Sequence, residues 1–467
     1  MITKIEIDGF KSFRNFEMDF SPFVVVAGLN ASGKSNLFDA LELLSRLAVM
    51  PLREAFSQKR GNIIELFSQA EGDAYADKMR FSVELLVEKQ VKDNWGQEAI
   101  ITAPRMRYTL SIGRRKDAYG IDELFVSEEE LRKIPPGQDL WAKLHLKKVP
   151  QRWKNSKGGG TSKPFIQTED DHDTPTITMR QDGRQGRKAT PVGAIHQTVL
   201  SSVNSVDFPH VFAAKEEMRK WKFMQLNPER LREPTRQEPG MRYHISHDGA
   251  NLAAALHRMK QHDEEVLIDI AQRMVKFLPE FVRIDVEDDK ANRQFVIKLT
   301  SKDKKTFTSR VLSEGTLRLL TLIVMACDDE HQGLLCFEEP ENGVHFGRIG
   351  QVVALLADLA TGLEDADEPL RQVIVNTHSP LLIQELQRKY RNQEATDVTV
   401  WLSRMARLAE GPQEHRHSFS YTKMDKAKLT SQHRIALDGE QDGSWTTADL
   451  TNYLKKLDGG APINPSN

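Results

Sequence analysis

Residues 28–35 read Gly-Leu-Asn-Ala-Ser-Gly-Lys-Ser and match Gly-x-x-x-x-Gly-Lys-Ser/Thr at every fixed position. Each fixed residue has a physical reason. Gly28 and Gly33 let the backbone of Asn30, Ala31 and Ser32 close its N–H groups around phosphate oxygens. Lys34 neutralises the β and γ phosphates, Ser35 offers a hydroxyl to Mg²⁺, and the helix entered through Asn36 points its positive end at the same anion. A second candidate is Leu334-Leu335-Cys336-Phe337-Glu338-Glu339-Pro340-Glu341, an apolar run delivering acids at its C-terminal end. There Glu338 would hold Mg²⁺, and Glu339 would orient or deprotonate an attacking water. Leu312-Ser313-Glu314-Gly315-Thr316 precedes a helical pattern, so Ser313 and Gly315 could offer a hydroxyl and backbone donors to phosphate. Read alone, Ser313 is a simple helix cap. Last, Asn376-Thr377-His378-Ser379-Pro380 presents a histidine at a strand terminus, where it can sense or polarise the γ phosphate.

The elements needed to position these residues are legible around them. Phe23-Val24-Val25-Val26-Ala27 is continuously apolar, the pattern of a strand buried on both faces. From Asn36, the spacing of Leu37, Ala40, Leu41, Leu44 and Leu47 is helical until Pro51. The order is therefore strand, glycine loop, helix. Ahead of it, MITKIEIDGFKSF predicts a strand and turn leading to a second strand at Phe16 to Phe20. Strand-like alternation resumes from Met79 and again from Met106 to Ile112, which predicts an antiparallel sheet. A helical pattern runs from Leu252 to Phe277, followed by strands at Val282–Val286 and Phe295–Leu299. Between 131 and 190, thirteen basic residues face six acidic ones amid loop-forming Pro and Gly. That stretch predicts a solvated irregular insertion or an electrostatic contact with nucleic acid or an acidic partner.

Composition sets the outer limits. The chain has 467 residues, 65 basic and 67 acidic, and enough length for two or three domains. No apolar run approaches the roughly 18 residues of a membrane span, and the N-terminus lacks a signal-peptide layout, so a cytoplasmic protein is expected. Two cysteines, Cys327 and Cys336, are too few for a disulfide framework or a four-thiolate zinc site. His415, His417 and the His172/Asp173 pair have no convincing ligand set.

Taken in order, the phosphate loop, Ser-x-Gly helix start, tandem-Glu strand and terminal histidine resemble the ATP-binding-cassette ATPases. LSEGT, EEPENGVH and the early GFKSF resemble the SMC/RecF branch, and within it the AAA_21-type ATPases related to the OLD family of bacterial antiphage modules. HDGANLAAAL at 247–256 is similar to a stretch of these proteins as well. The resemblance implies an α/β head: a P-loop core sheet with flanking helices, an antiparallel β subdomain, a helical signature subdomain and an inserted, partly irregular region. The corresponding divisions are 1–90, an insertion at 91–244, 245–405, and a C-terminal extension at 406–467. It implies ATP and Mg²⁺ as cofactors and a homo-oligomer in which two heads sandwich nucleotide. Ser313, Glu314 and Gly315 then act across the interface, with Glu341, Asn342 and Gly343 as the adjoining loop. Lys11 is implied as a nucleotide contact, and Gln69 as the metal-side glutamine. The Toprim nuclease that often follows in OLD-type proteins is not expected, Asp438-Gly439-Glu440 being read as a solvated turn.

Three functions fit this reading. The first is an ATPase that gates a separate effector, a nuclease, in a defence complex. The second is a RecF-like ATPase that clamps DNA, favoured by the basic stretch. The third is a scaffold in which ATP joins subunits with little turnover.

Overall fold

The computed structural model describes residues 1–446 except 60, 70–74, 117, 147–152, 156–162, 170–174, 182–186, 193–195, 239–242, 329, 331, 361, 364–368, 391–396, 411–416, 430–433 and 438–443. His172, Asp173, His415 and Asp438 to Glu440 lie outside the described residues, as does much of the basic 131–190 stretch.

The chain opens with β1 (Ile2–Asp8), β2 (Phe16–Asp19) and β3 (Phe23–Gly28), followed by α1 (Lys34–Leu47). All six residues of β3 are buried, as its unbroken apolar run requires. It lies within a sheet ordered Lys222–Met224, Gly333–Glu338, Arg371–Thr377, β3 and Val398–Glu410, all parallel. The two faces of β3 serve different cores. Val24 and Val26 join α1 through Leu37, Ala40, Leu41 and Leu44. Phe23, Val25 and Ala27 join the helices Leu252–His262, Glu314–Ala326, Ile349–Asp358 and Pro380–Tyr390 on the opposite side. A parallel sheet covered by helices on both faces brings its strand ends together at one carboxyl edge.

A second sheet is antiparallel. From its centre, Lys78–Leu86 pairs with β1 on one side and with Arg105–Lys116 on the other. Ile5 faces Val83 and Ile7 faces Phe81, so the alternation read in the N-terminal sequence becomes one buried face packed into the α1 core. The sheet continues through Asp122–Lys133, Ile166–Glu169, Thr176–Arg180 and Arg187–Pro191. Residues 91–244, expected as an inserted region, contribute to both of these sheets. They extend this sheet, supply the helix Pro209–Arg219 whose Met218 carbonyl accepts from Ser45 Oγ at 2.8 Å, and add the edge strand Lys222–Met224 to the core sheet.

The boundary drawn at 405 also falls inside an element. Val398–Glu410 and His417–Leu429 form one hairpin that carries the core sheet onward in antiparallel fashion. Its polar surface made 406 onward look like an extension; Thr422, Met424 and Ala427 are nevertheless buried. A small third sheet, built on Phe281–Asp289 and Gln294–Ser301, packs against the helix Val266–Phe277. Cys336 is buried inside its core strand. Among the described residues, no helix is long and apolar enough to cross a membrane.

Candidate nucleotide-binding site

The carboxyl edge of the parallel sheet borders a cavity of about 960 Å³. On its floor is the loop between β3 and α1. Ala31 and Gly33 adopt left-handed conformations, φ +62° and +97°, which turn successive peptide N–H groups the same way. Strand pairing fixes the loop from behind: Ser403 pairs with Gly28, and Ser403 Oγ donates to the Ser32 carbonyl at 2.8 Å. Ser32 Oγ is buried without a hydrogen-bond partner among the described residues. Lys34 Nζ donates to the carbonyls of Gly28 at 2.7 Å and Leu29 at 2.6 Å, which holds the ammonium over the loop. Burial lowers its pKa, against the pull of the Glu339 and Glu341 carboxylates. A desolvated cation binds an anion more strongly than one in water. Ser35 is exposed to the cavity, and Asn36 Nδ2 donates to Ser12 Oγ at 2.7 Å while its residue also lines the cavity.

The acidic strand end arrives beside this loop. Glu338 is paired in register with Asn376, and the chain turns at Glu339, φ +44°, whose N–H donates to the Asn376 carbonyl at 3.1 Å. That turn aims Glu339 across the sheet edge. Its Oε1 hydrogen-bonds His378 Nδ1 at 2.8 Å, and its Oε2 accepts from Asn342 Nδ2 at 2.7 Å. One carboxylate oxygen is therefore held by the histidine strand and the other by its own loop. Glu341 is buried behind them and accepts from Thr377 Oγ1; burial raises its pKa, and Oε2 has no partner among the described residues.

The far wall was not foreseen. Met224 pairs with Phe337, so Gln225 and Glu338 leave adjacent parallel strands side by side, and both line the cavity. Gln225 N–H donates to the His247 carbonyl at 2.9 Å and Asn227 N–H to the Asp248 carbonyl at 3.0 Å. This docks the HDGANLAAAL segment onto the site. Gln69, expected on the metal side, instead makes an isolated bridge with Tyr75 and does not line the cavity. Gln225, and not Gln69, lines the cavity. A three-residue edge strand inside irregular sequence carries no periodicity by which to find it.

Two further expectations separate from the cavity. Lys11 Nζ binds Asp39 Oδ2 at 2.5 Å, on the side of α1, and Lys59 reaches Asp39 Oδ1 at 2.9 Å. Lys11 does not line the cavity. Ser313 caps the helix Glu314–Ala326, accepting from Thr316 N–H at 3.3 Å, and Gly315 lies against the Gly343 carbonyl. Neither they nor Glu314 line their own chain's cavity.

The AAA_21 family, described as "AAA domain, putative AbiEii toxin, Type IV TA system", matches residues 23–384. The chain belongs to the AAA_21 family. In this AAA_21 chain the matched span starts with β3 and takes in the phosphate loop, Gln225, the acidic strand and His378; the bracing hairpin with Ser403 and Thr422 lies beyond it. Among similar solved structures is an SmcHead bound to the C-winged helix domain of ScpA, with TM-score 0.47 and 12% identity, covering 90% of this chain and 98% of that one. Another is the SMC head domain from Thermotoga maritima, with TM-score 0.37, 12% identity, and 90% and 98% coverage. A third is the Smc head with an extended coiled coil bound to the C-terminal domain of ScpA, from Pyrococcus furiosus, with TM-score 0.40, 11% identity, and 90% and 96% coverage. No curated protein matches the chain.

The donor set fits a magnesium nucleotide. Backbone N–H groups, the α1 N-terminus and buried Lys34 suit phosphate, while Ser35, Glu338 and Gln225 offer hard oxygens to a cation. Among the described residues no group of three or more His, Cys, Asp or Glu could hold a metal ion by itself. Mg²⁺ suits such a place, because it is commonly held by one or two protein oxygens together with substrate phosphates.

Proposed function

We propose that this AAA_21 chain hydrolyses ATP to ADP and phosphate and that the cycle gates a separate effector. The observation that carries the chemical part is the 2.8 Å contact of Glu339 with His378 at the carboxyl edge that also holds Lys34. Lys34 and the loop amides bind and orient the β and γ phosphates. Glu339, fixed at both oxygens, accepts a proton from the water that attacks the γ phosphorus as the bond to the bridging oxygen breaks. His378 holds Glu339 in that orientation. Mg²⁺ held by Ser35 and Glu338 would neutralise charge on the phosphate oxygens.

The gating part rests on placement. Ser313, Glu314 and Gly315 form a helix start outside their own chain's cavity, which suits them to completing the site of a second copy in an ATP-joined homo-oligomer. The family description names a toxin of a toxin–antitoxin system, and a defence complex with a partner nuclease is the setting we favour. Turnover by wild type, Lys34→Ala and Glu339→Gln tests the chemistry; retained hydrolysis in Glu339→Gln would refute it. The native mass of the Glu339→Gln protein purified with ATP and Mg²⁺ from its own operon tests the gate. A second protein in fixed ratio supports it, whereas a bare homodimer carrying DNA would favour direct clamping of nucleic acid.

A further inference from the structure

Arg318 stands one helical turn beyond Glu314, and unlike that residue it lines the cavity of its own chain. Its side chain is only 9% exposed. Nε and Nη2 donate to Glu314 Oε1 at 3.1 and 3.0 Å, and among the described residues Nη1 has no hydrogen-bond partner. A guanidinium carries five N–H donors and does not deprotonate, so one carboxylate oxygen leaves this cation with donors to spare beside the cavity it lines. Glu314 is placed in turn by the loop that follows the acidic strand. A Cβ on Gly343 would meet Glu314 Cδ at 2.3 Å and Oε1 at 2.5 Å, so the carboxylate lies directly over Gly343. Asn342, the neighbour of Gly343, donates to Glu339. A continuous path therefore runs from the cavity through Arg318 and Glu314 to the loop that holds Glu339 in place.

We infer that Arg318 is a positioning residue shared between Glu314 and the terminal phosphate of a nucleoside triphosphate, so that a triphosphate loosens Glu314 from Gly343 and a diphosphate does not. This rests on reading the cavity as a nucleotide site. A γ phosphate brings several acceptor oxygens in the geometry a guanidinium fork prefers, and it competes with the single oxygen of a partly exposed carboxylate. Coupling of this kind is reciprocal: whatever weakens the Glu314 contact must strengthen the triphosphate contact by the same factor.

Equilibrium binding of ATP and of ADP, each with Mg²⁺, to the full chain tests this. Arg318→Gln should weaken ATP about tenfold or more and ADP by less than about threefold, the difference being one charge-assisted contact. Arg318→Lys should fall between. Glu314→Gln should tighten ATP a few-fold, and that gain should vanish in the double variant Glu314→Gln/Arg318→Gln. Equal losses for both nucleotides in Arg318→Gln, or a Glu314→Gln gain that survives in the double variant, would overturn the inference while leaving the nucleotide site standing. Failure of the wild type to bind either nucleotide would overturn the site itself and the inference with it. Should Arg318→Gln not fold, the Glu314→Gln measurement stands alone: an unchanged ATP affinity is then the overturning result.

Discussion

A Cβ on Gly33 would meet Thr422 Oγ1 at 1.9 Å. The phosphate loop and a strand almost four hundred residues downstream are thus fitted to each other at one glycine. Thr422 N–H donates to the Ser12 carbonyl at 2.8 Å, its hydroxyl lies 2.6 Å from Ser12 Oγ, and that oxygen accepts from Asn36 at the start of α1. The first hairpin, the loop and the hairpin of Val398–Glu410 with His417–Leu429 share one hydrogen-bonded corner. Rigidity of the loop follows from this corner, because it ties the antiparallel sheet of β1 and β2 to the core sheet that carries both the loop and Thr422.

Gly33→Ala should therefore fail for two separable reasons. At φ +97° an alanine is strained by about 1–2 kcal/mol, and its methyl group also collides with Thr422. Urea unfolding should show a loss of about 2 kcal/mol or more, with nucleotide binding abolished. Adding Thr422→Ala should recover part of the steric share, since the Cβ it keeps still lies 2.8 Å away, and leave the strain. Full recovery of stability in the double variant would mean that the left-handed backbone at Gly33 contributes nothing.

Glu339→Gln should lower turnover by about 10²–10⁴-fold with ATP affinity within a few-fold of wild type, the expected span for removing a positioned base. His378→Ala should lower it less, since Asn342 still holds Glu339 Oε2. Single-turnover hydrolysis beside equilibrium binding separates the two steps. A larger loss from His378→Ala than from Glu339→Gln would make the histidine, and not the carboxylate, the principal proton acceptor.

Much of this site was readable because its parts are contiguous in sequence. The phosphate loop, Glu338–Glu339 and His378 each sit at the end of an apolar run whose pattern announces a buried strand, and parallel pairing brings such ends together. Lys11 and Gln69 do not line the cavity, and their neighbourhoods carry no pattern that fixes which side of α1 they reach. Gln225, Arg318 and Thr422 could not be read at all. Their roles come from adjacency across a sheet or one turn along a helix, and a three-residue strand or a polar hairpin gives no hint of its neighbours.

Glu129 offers a pH signature remote from the cavity. It is fully buried and accepts from Val199 N–H at 2.7 Å, Leu200 N–H at 2.8 Å and Tyr108 OH at 3.1 Å. Burial raises its pKa to about 7, against the opposing pull of those hydrogen bonds. The folded state thus holds a proton that the unfolded chain has already lost. Its contribution is fully present below the unfolded carboxyl value near 4.5 and falls as pH rises to about 7, by on the order of 3 kcal/mol. Urea unfolding between pH 5 and 8 should show that slope, and Glu129→Gln should flatten it. An equal slope in the variant would assign the titration to another group.

Gln225 and Gln69 give the sharpest contrast between the sequence reading and the fold. Gln225 emerges beside Glu338 and lines the cavity with Ser35, and the proposed site offers its amide oxygen to the cation or its bound water. Removing a polar group that acts only once the phosphates and cation are in place should lower turnover more than binding. Gln225→Ala should therefore reduce ATP turnover about tenfold or more and raise the Mg²⁺ concentration needed for half-maximal rate, consistent with one lost transition-state contact of about 1.4 kcal/mol or more. Gln69→Ala should leave both within about twofold, the usual outcome for a substitution outside the site. Because both variants delete the same amide, the comparison controls for side-chain chemistry. If Gln69→Ala were the one to slow turnover, the edge strand Lys222–Met224 would not be the strand that completes the site.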